Sequence, residues 1–186
     1  MTNHLEMLEV VDENDAIIGL ETRTKIHKDE LLHRDIHVWF ITPKNEIIFQ
    51  HRSKNKDSFP GKLDATVAGH VEPGMSYEET VVKECKEETG LVIDQNKLIF
   101  LAKIKNESFD KENNITHRSI DQEYAYLYED PITNLQIEKD NSEGFELWKI
   151  DDLFHLSEND KNKFKAFVIG DSMLELYKKA KSMFKL

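Results

Sequence analysis

The chain has a single cysteine, Cys85, so no internal disulfide can form and nothing points to an oxidising compartment. It has no run of 18 apolar residues, which excludes a membrane-spanning helix. The opening stretch MTNHLEMLEV lacks a basic segment followed by an apolar one, so no secretory leader is expected. Positive charge is scarce as well. With 25 Lys and Arg against 36 Asp and Glu, the formal net charge is −11, which argues against a general nucleic-acid binder. Internal repeats and linkers are absent, and 186 residues suffice for one domain, residues 1–186, with a proper core. A soluble, cytoplasmic protein is expected.

What the chain does have is concentrated between Gly69 and Leu91, GHVEPGMSYEETVVKECKEETGL. Pro73-Gly74 is turn chemistry. Ser76 followed three residues later by Glu79 is a capping box, and Gly90 can close a helix with positive φ. The spacing therefore predicts a helix over Tyr77–Thr89. At about 100° per residue, Val81, Val82, Cys85 and Thr89 share one arc, which reads as the core face. Cys85 is then a small buried hydrophobe rather than a nucleophile. Glu84, Glu87 and Glu88 fall on the other side, where like charges repel and the helix C-terminus disfavours anions. A hard divalent cation would relieve both penalties. A solvated acidic face is the plain alternative.

The arrangement resembles the Nudix box, G-x5-E-x7-R-E-U-x-E-E-x-G-U with U aliphatic. Gly69 opens it, and Lys83 to Leu91 (KECKEETGL) closes it. Met75, Lys83 and Cys85 replace the first Glu, the Arg and an aliphatic residue of that pattern. Met75 cannot bind a metal, and Lys83 keeps a charge without the bidentate fork of arginine. The resemblance implies an α+β chain folded as an α/β/α sandwich around a mixed sheet, with residues 69–91 as a loop–helix–loop.

Elsewhere the patterning reads as β-rich. Leu8–Val11 and Ile17–Leu20 suggest a hairpin, as do His37–Ile41 and Ile47–His51 about the Pro43–Glu46 turn. Thr24–Leu32 reads as a loop with a helical turn. Leu63–Ala68 is expected to be a strand delivering Gly69 and His70. Further strands are expected at Lys97–Ile104, Asp121–Tyr128 and Phe145–Ile150. Asn106–Ser119 is polar and aperiodic, so a loop is expected there. A C-terminal helix is expected at about 161–185, with a break at Gly170.

The chemistry that follows is hydrolysis of a phosphoanhydride, which needs phosphate charge neutralised and a water activated. The Nudix resemblance implies that Glu84, Glu87 and Glu88 hold Mg²⁺ or Mn²⁺. Base catalysis is left open between Glu84 and a glutamate outside the box, with Glu123 the first candidate and Glu143 the second. Arg52 and Lys62 are candidates for phosphate recognition within a basic stretch, joined at the box by Gly69 and Lys83. LLHRDIHVWF and FPGKLDATVAGH are similar to the isopentenyl-diphosphate isomerase branch. That likeness implies metal ligation near His27, His33, His70, Asp121 and Glu123, with His70 the foremost histidine. The isomerase needs a Cys where this chain has Ala68. The leading expectation is a hydrolase of a nucleoside diphosphate derivative or related small diphosphate. The alternatives are a ligand-binding domain that has lost catalysis, motivated by Met75 and Lys83, and the isomerase itself. No membrane or nucleic-acid partner is expected, and a homodimer is compatible.

Overall fold

The computed structural model describes residues 6–56, 58–111 and 113–186. Strands β1 (Met7–Val11) and β2 (Ile17–Thr22) form an antiparallel hairpin, followed by the short helix α1 (Arg23–Lys28). A seven-stranded sheet follows from β3 (His33–Ile41), β4 (Glu46–Arg52), β5 (Leu63–Asp64), β6 (Val67–His70), β7 (Ile99–Asp110), β8 (Ile115–Leu127) and β9 (Ser142–Lys149). Its order is β5-β4-β3-β8-β7, with β6 paired to β3 and β9 to β4. The β3–β8 pair is parallel and the other pairs are antiparallel, so the sheet is mixed.

Alternation along β3 sends its side chains to two different cores. Ile36, Val38 and Phe40 join Val67, Val81, Cys85 and Tyr124 beneath helix α2 (Tyr77–Thr89). Trp39 and Ile41 join Ile47, Phe49, Met173 and Tyr177 beneath helix α4 (Asp171–Met183). Trp39 meets Tyr177 edge-on, with ring centroids 5.0 Å apart. The result is the expected α/β/α sandwich. Among the described residues, no helix is long and apolar enough to cross a membrane.

Helix α2 has the expected limits. Ser76 Oγ accepts from Glu79 N, the Glu79 carboxylate accepts from Ser76 N, and Gly90 closes the helix at φ 71°. Three expectations are corrected. Residues 106–119 are not a loop: β7 runs on to Asp110 and β8 starts at Ile115, pairing Asp110 with Ile115. The strand expected at Leu63–Ala68 is two pieces, because the Thr66 hydroxyl accepts from Phe40 N at 2.9 Å and donates to Ile48 O, splicing β3 to β4. The C-terminal helix is only Asp171–Met183. Upstream, helix α3 (Glu158–Lys161) is short, and Leu63 N donates to Lys163 O while Lys165 N donates to Leu63 O. Those strand-like bonds hold residues 163–165 out of a continuous helix.

Candidate active site

The site is organised by β6, whose residues alternate between the two faces of the sheet. Gly69 faces α2. A Cβ on it would lie 2.7 Å from the Glu84 Cδ and Cγ, so only glycine lets this carboxylate lie against the strand. One residue back, Ala68 N donates to Glu88 Oε2 at 3.3 Å, and Gln50 Nε2 donates to the same oxygen at 3.1 Å. Burial, then the neighbouring Glu84, push the Glu88 pKa up to about 8. Burial also raises that of Glu84, against the pull of Lys83. The Lys83 ammonium lies 2.9 Å from Glu84 Oε1 and 2.8 Å from Glu87 Oε2, and these carboxylates raise its pKa despite burial. Glu87 is exposed. Lys83 thus pairs with Glu84 and Glu87, and with Glu72 at 3.4 Å, while Glu88 is held by the Ala68 and Gln50 nitrogens. Met75 packs against the apolar core under α2 instead of joining them.

His70 and Ala68 occupy the opposite face of β6, in register with Asp35 and His37 of β3. Beyond β3, Asp35 and His37 are level with Asp121 and Glu123 of β8. This face therefore carries His33, Asp35 and His37 beside Ser119, Asp121 and Glu123. His27 reaches it from α1. One nitrogen from each of His27, His33 and His70 lies within a 4.8 Å cluster able to hold a metal ion. His33 Nδ1 donates to Leu31 O at 3.2 Å, which leaves its Nε2 as a lone-pair donor. His70 Nδ1 is likewise 3.2 Å from Glu6 Oε1. Burial holds His27 and His33 below the usual imidazole range, His27 at about 3, so both are neutral at pH 7. For His70, burial is outweighed by Asp35 and Glu6, and its pKa rises.

A second group, His37, Asp121 and Glu123, is sealed within the sheet face. Glu123 is fully buried and both its oxygens are taken, by His37 Nδ1 at 2.9 Å and Trp39 Nε1 at 2.6 Å. Its carboxylate is closed to solvent. The charge and hydrogen bond of Glu123 overcome burial to raise His37 to about 9. Burial raises Asp121 to about 7.

The basic candidates also have structural work. The Arg52 guanidinium bonds Asp64 Oδ2 at 3.0 Å and Ser58 O at 2.8 Å, and Lys62 Nζ donates to Asn162 O at 2.7 Å. Both thereby hold loops in place. Glu143 accepts from Lys54 N at 3.1 Å. The sequence reading missed His117, whose ring centroid lies 4.6 Å from that of His27 and 5.7 Å from that of Phe59. It stands in the stretch expected to be a loop. Spacing by two with Ser119, Asp121 and Glu123 would have placed it on their face. A pocket of about 270 Å³ lies close by, lined by Phe59, Asn106, Phe109, Lys165 and Phe167 among others.

The family model described as the NUDIX domain matches residues 31–168 of this chain. The chain belongs to the Nudix family. An uncharacterised Nudix hydrolase of Clostridium acetobutylicum is 31% identical over 161 residues, covering 83% of this chain and 75% of that one. A prenyl-diphosphate phosphatase of Methanosarcina mazei is 32% identical over 92 residues, about half of each chain at 50% and 54%. In fold, the crystal structure of DR0079 from Deinococcus radiodurans superposes with a TM-score of 0.70 at 24% identity, covering 94% of this chain and 98% of that one. Nudix membership makes this chain a hydrolase acting on diphosphates, and Nudix hydrolases generally need divalent metal ions.

Proposed function

We propose that this Nudix chain hydrolyses a phosphoanhydride bond in a nucleoside diphosphate derivative or related small diphosphate, with Mg²⁺ or Mn²⁺. The observation that carries this reading is the convergence of Glu84 and Glu88 on β6, with both pKa values raised and Glu87 beside them. Such carboxylates suit a cation of higher charge than Lys83 supplies. The bound metal would neutralise phosphate charge and lower the pKa of a water. Glu84, Glu87 and Glu88 are its ligands in this proposal. Glu84 is the candidate base, since both oxygens of Glu123 are committed elsewhere. Lys83 orients Glu84 and Glu87 and can turn to substrate phosphate once a metal replaces it.

His27, His33 and His70 are proposed to hold a second divalent ion. Their orphaned, buried Nε2 atoms on His27 and His33 fit a metal better than a hydrophobic core. Imidazole ligands favour transition ions such as Zn²⁺ or Co²⁺ over Mg²⁺. The aromatic pocket beside this centre supports a second substrate reading, a diphosphate with a short apolar group, as in the name of the Methanosarcina relative. Isomerisation of such a group has little support, because Ala68 offers no ionisable atom.

The test is phosphate release from nucleoside diphosphate sugars, dinucleoside polyphosphates, nucleoside triphosphates and prenyl diphosphates, with each metal. Turnover abolished in Glu87→Gln and Glu88→Gln supports the hydrolase reading and names its substrate class. A folded, metal-binding protein silent on the whole panel refutes it in favour of a binding domain.

A further inference from the structure

Five of the eight buried side-chain polar atoms that lack a hydrogen-bond partner among the described residues sit in one place. They are His27 Nε2, His33 Nε2, His117 Nε2, Asp35 Oδ1 and Asp121 Oδ1. Orphans are rare in folded proteins, and a cluster of them that mixes lone-pair nitrogens with carboxylate oxygens implies a shared missing partner. Three neutral imidazoles leave a fourth position on a divalent ion open, and a buried carboxylate there would offset its charge.

We propose that Asp35 supplies that carboxylate, binding through Oδ1 to the ion held by His27, His33 and His70. This rests on the reading of a histidine centre given above. Asp35 Oδ1 lies 3.6 Å from His33 Nε2 and 3.9 Å from His70 Nε2. Both spacings exceed a hydrogen bond. Two ligands on one tetrahedral ion, each about 2.1 Å from it, stand about 3.4 Å apart. The separations from His33 and His70 are therefore close to those of co-ligands on one ion.

The carboxylates of β8 are worse placed. Turning Glu123 from His37 and Trp39 to an ion would leave those two buried donors unpaired. Asp121 has one oxygen held by Asn106 Nδ2 at 2.9 Å and lies 3.8 Å from His37 Nδ1. Asp121 Oδ1 is orphaned as Asp35 Oδ1 is, but the register of β3 with β6 sets Asp35, not Asp121, directly opposite His70. His37 then acts separately, keeping the Glu123 charge inside the sheet and out of the metal shell.

The test strips the full chain with chelator, saturates it with Mg²⁺ to fill the oxygen-rich box, and titrates Co²⁺. The readouts are the visible Co²⁺ bands and the tightly held metal per chain after dialysis. Asp35→Asn is expected to weaken Co²⁺ binding by at least about tenfold and to change the band pattern. Glu123→Gln and Asp121→Asn should leave affinity and bands as in the wild type. Asp35→Ser, with folding checked by circular dichroism, covers the case in which the asparagine variant misfolds. Wild-type affinity and bands in both Asp35 variants would overturn the assignment, as would loss in Asp121→Asn or Glu123→Gln alone. If the wild type holds no Co²⁺ that His33→Asn and His70→Asn remove, the histidine centre itself fails and Asp35 falls with it.

Discussion

At the scale of single residues, much of the site depends on atoms that are missing. Gly69 is required by space alone, since a Cβ there would meet the Glu84 side chain at 2.7 Å. That neighbour is the mobile end of a glutamate, so Gly69→Ala should cost little stability and instead swing Glu84 away. We expect a cooperative melt close to wild type with Mn²⁺ affinity at the box reduced at least about tenfold, read by electron paramagnetic resonance. A large loss of stability with unchanged Mn²⁺ binding would contradict this account. His37 is the opposite case, a residue needed for its charge. Its pairing with Glu123 is buried, and removing one partner of such a pair costs about 3–5 kcal/mol because the other charge is stranded. His37→Asn should lose that much in urea denaturation. His37→Asn with Glu123→Gln should recover most of it, and strictly additive losses would show that the pair is not coupled.

At the scale of elements, α2 is the piece whose limits were readable, because every signal that fixes them is local. Ser76, Glu79 and Gly90 satisfy the helix ends within a few residues of chain. Ser76→Ala should therefore destabilise the protein by about 1 kcal/mol, measured as a lowered denaturation midpoint with an unchanged slope. A steeper loss would mean that Ser76 has a role outside the cap. The tip of β7 and β8 was illegible for the converse reason. Lys105, Asn106, Glu107 and Ser108 have little intrinsic strand preference, and only pairing with Arg118 to Ile120 and their neighbours makes that segment extended. The same holds for residues 163–165, whose backbone bonds go to Leu63, far away in sequence. The box glutamates could be picked from spacing. Asp35 and His37 could not, because their meaning depends on the parallel register of β3 with β8 and on α1 folding over that face.

At the scale of the whole molecule, the two faces of the sheet hold opposite electrostatic problems, and the box side makes stability depend on both pH and metal. Glu88, ordinarily near 4.5, titrates at about 8 in the folded chain, so between those values the folded state carries a proton that the unfolded state has lost. Stability contributed by this group therefore falls as pH rises from about 4.5 to about 8, by no more than about 1.4 kcal/mol per pH unit. Glu84 and Asp121, also raised by burial, act in the same direction. The lowered values of His27 and His33 act oppositely, so the contribution of Glu88 is best isolated by difference. In chelator, wild type should be progressively less stable relative to Glu88→Gln as pH rises from 5 to 8. Adding Mg²⁺ should reverse the trend, since the ion binds the ionised carboxylate and its stabilisation grows over the same window. Melting temperatures of both proteins across that range, with and without Mg²⁺, test the whole linkage. A wild-type minus Glu88→Gln difference that stays flat with pH in chelator would mean that Glu88 is already ionised at neutrality. The proton that Mg²⁺ is expected to displace would then have to come from Glu84.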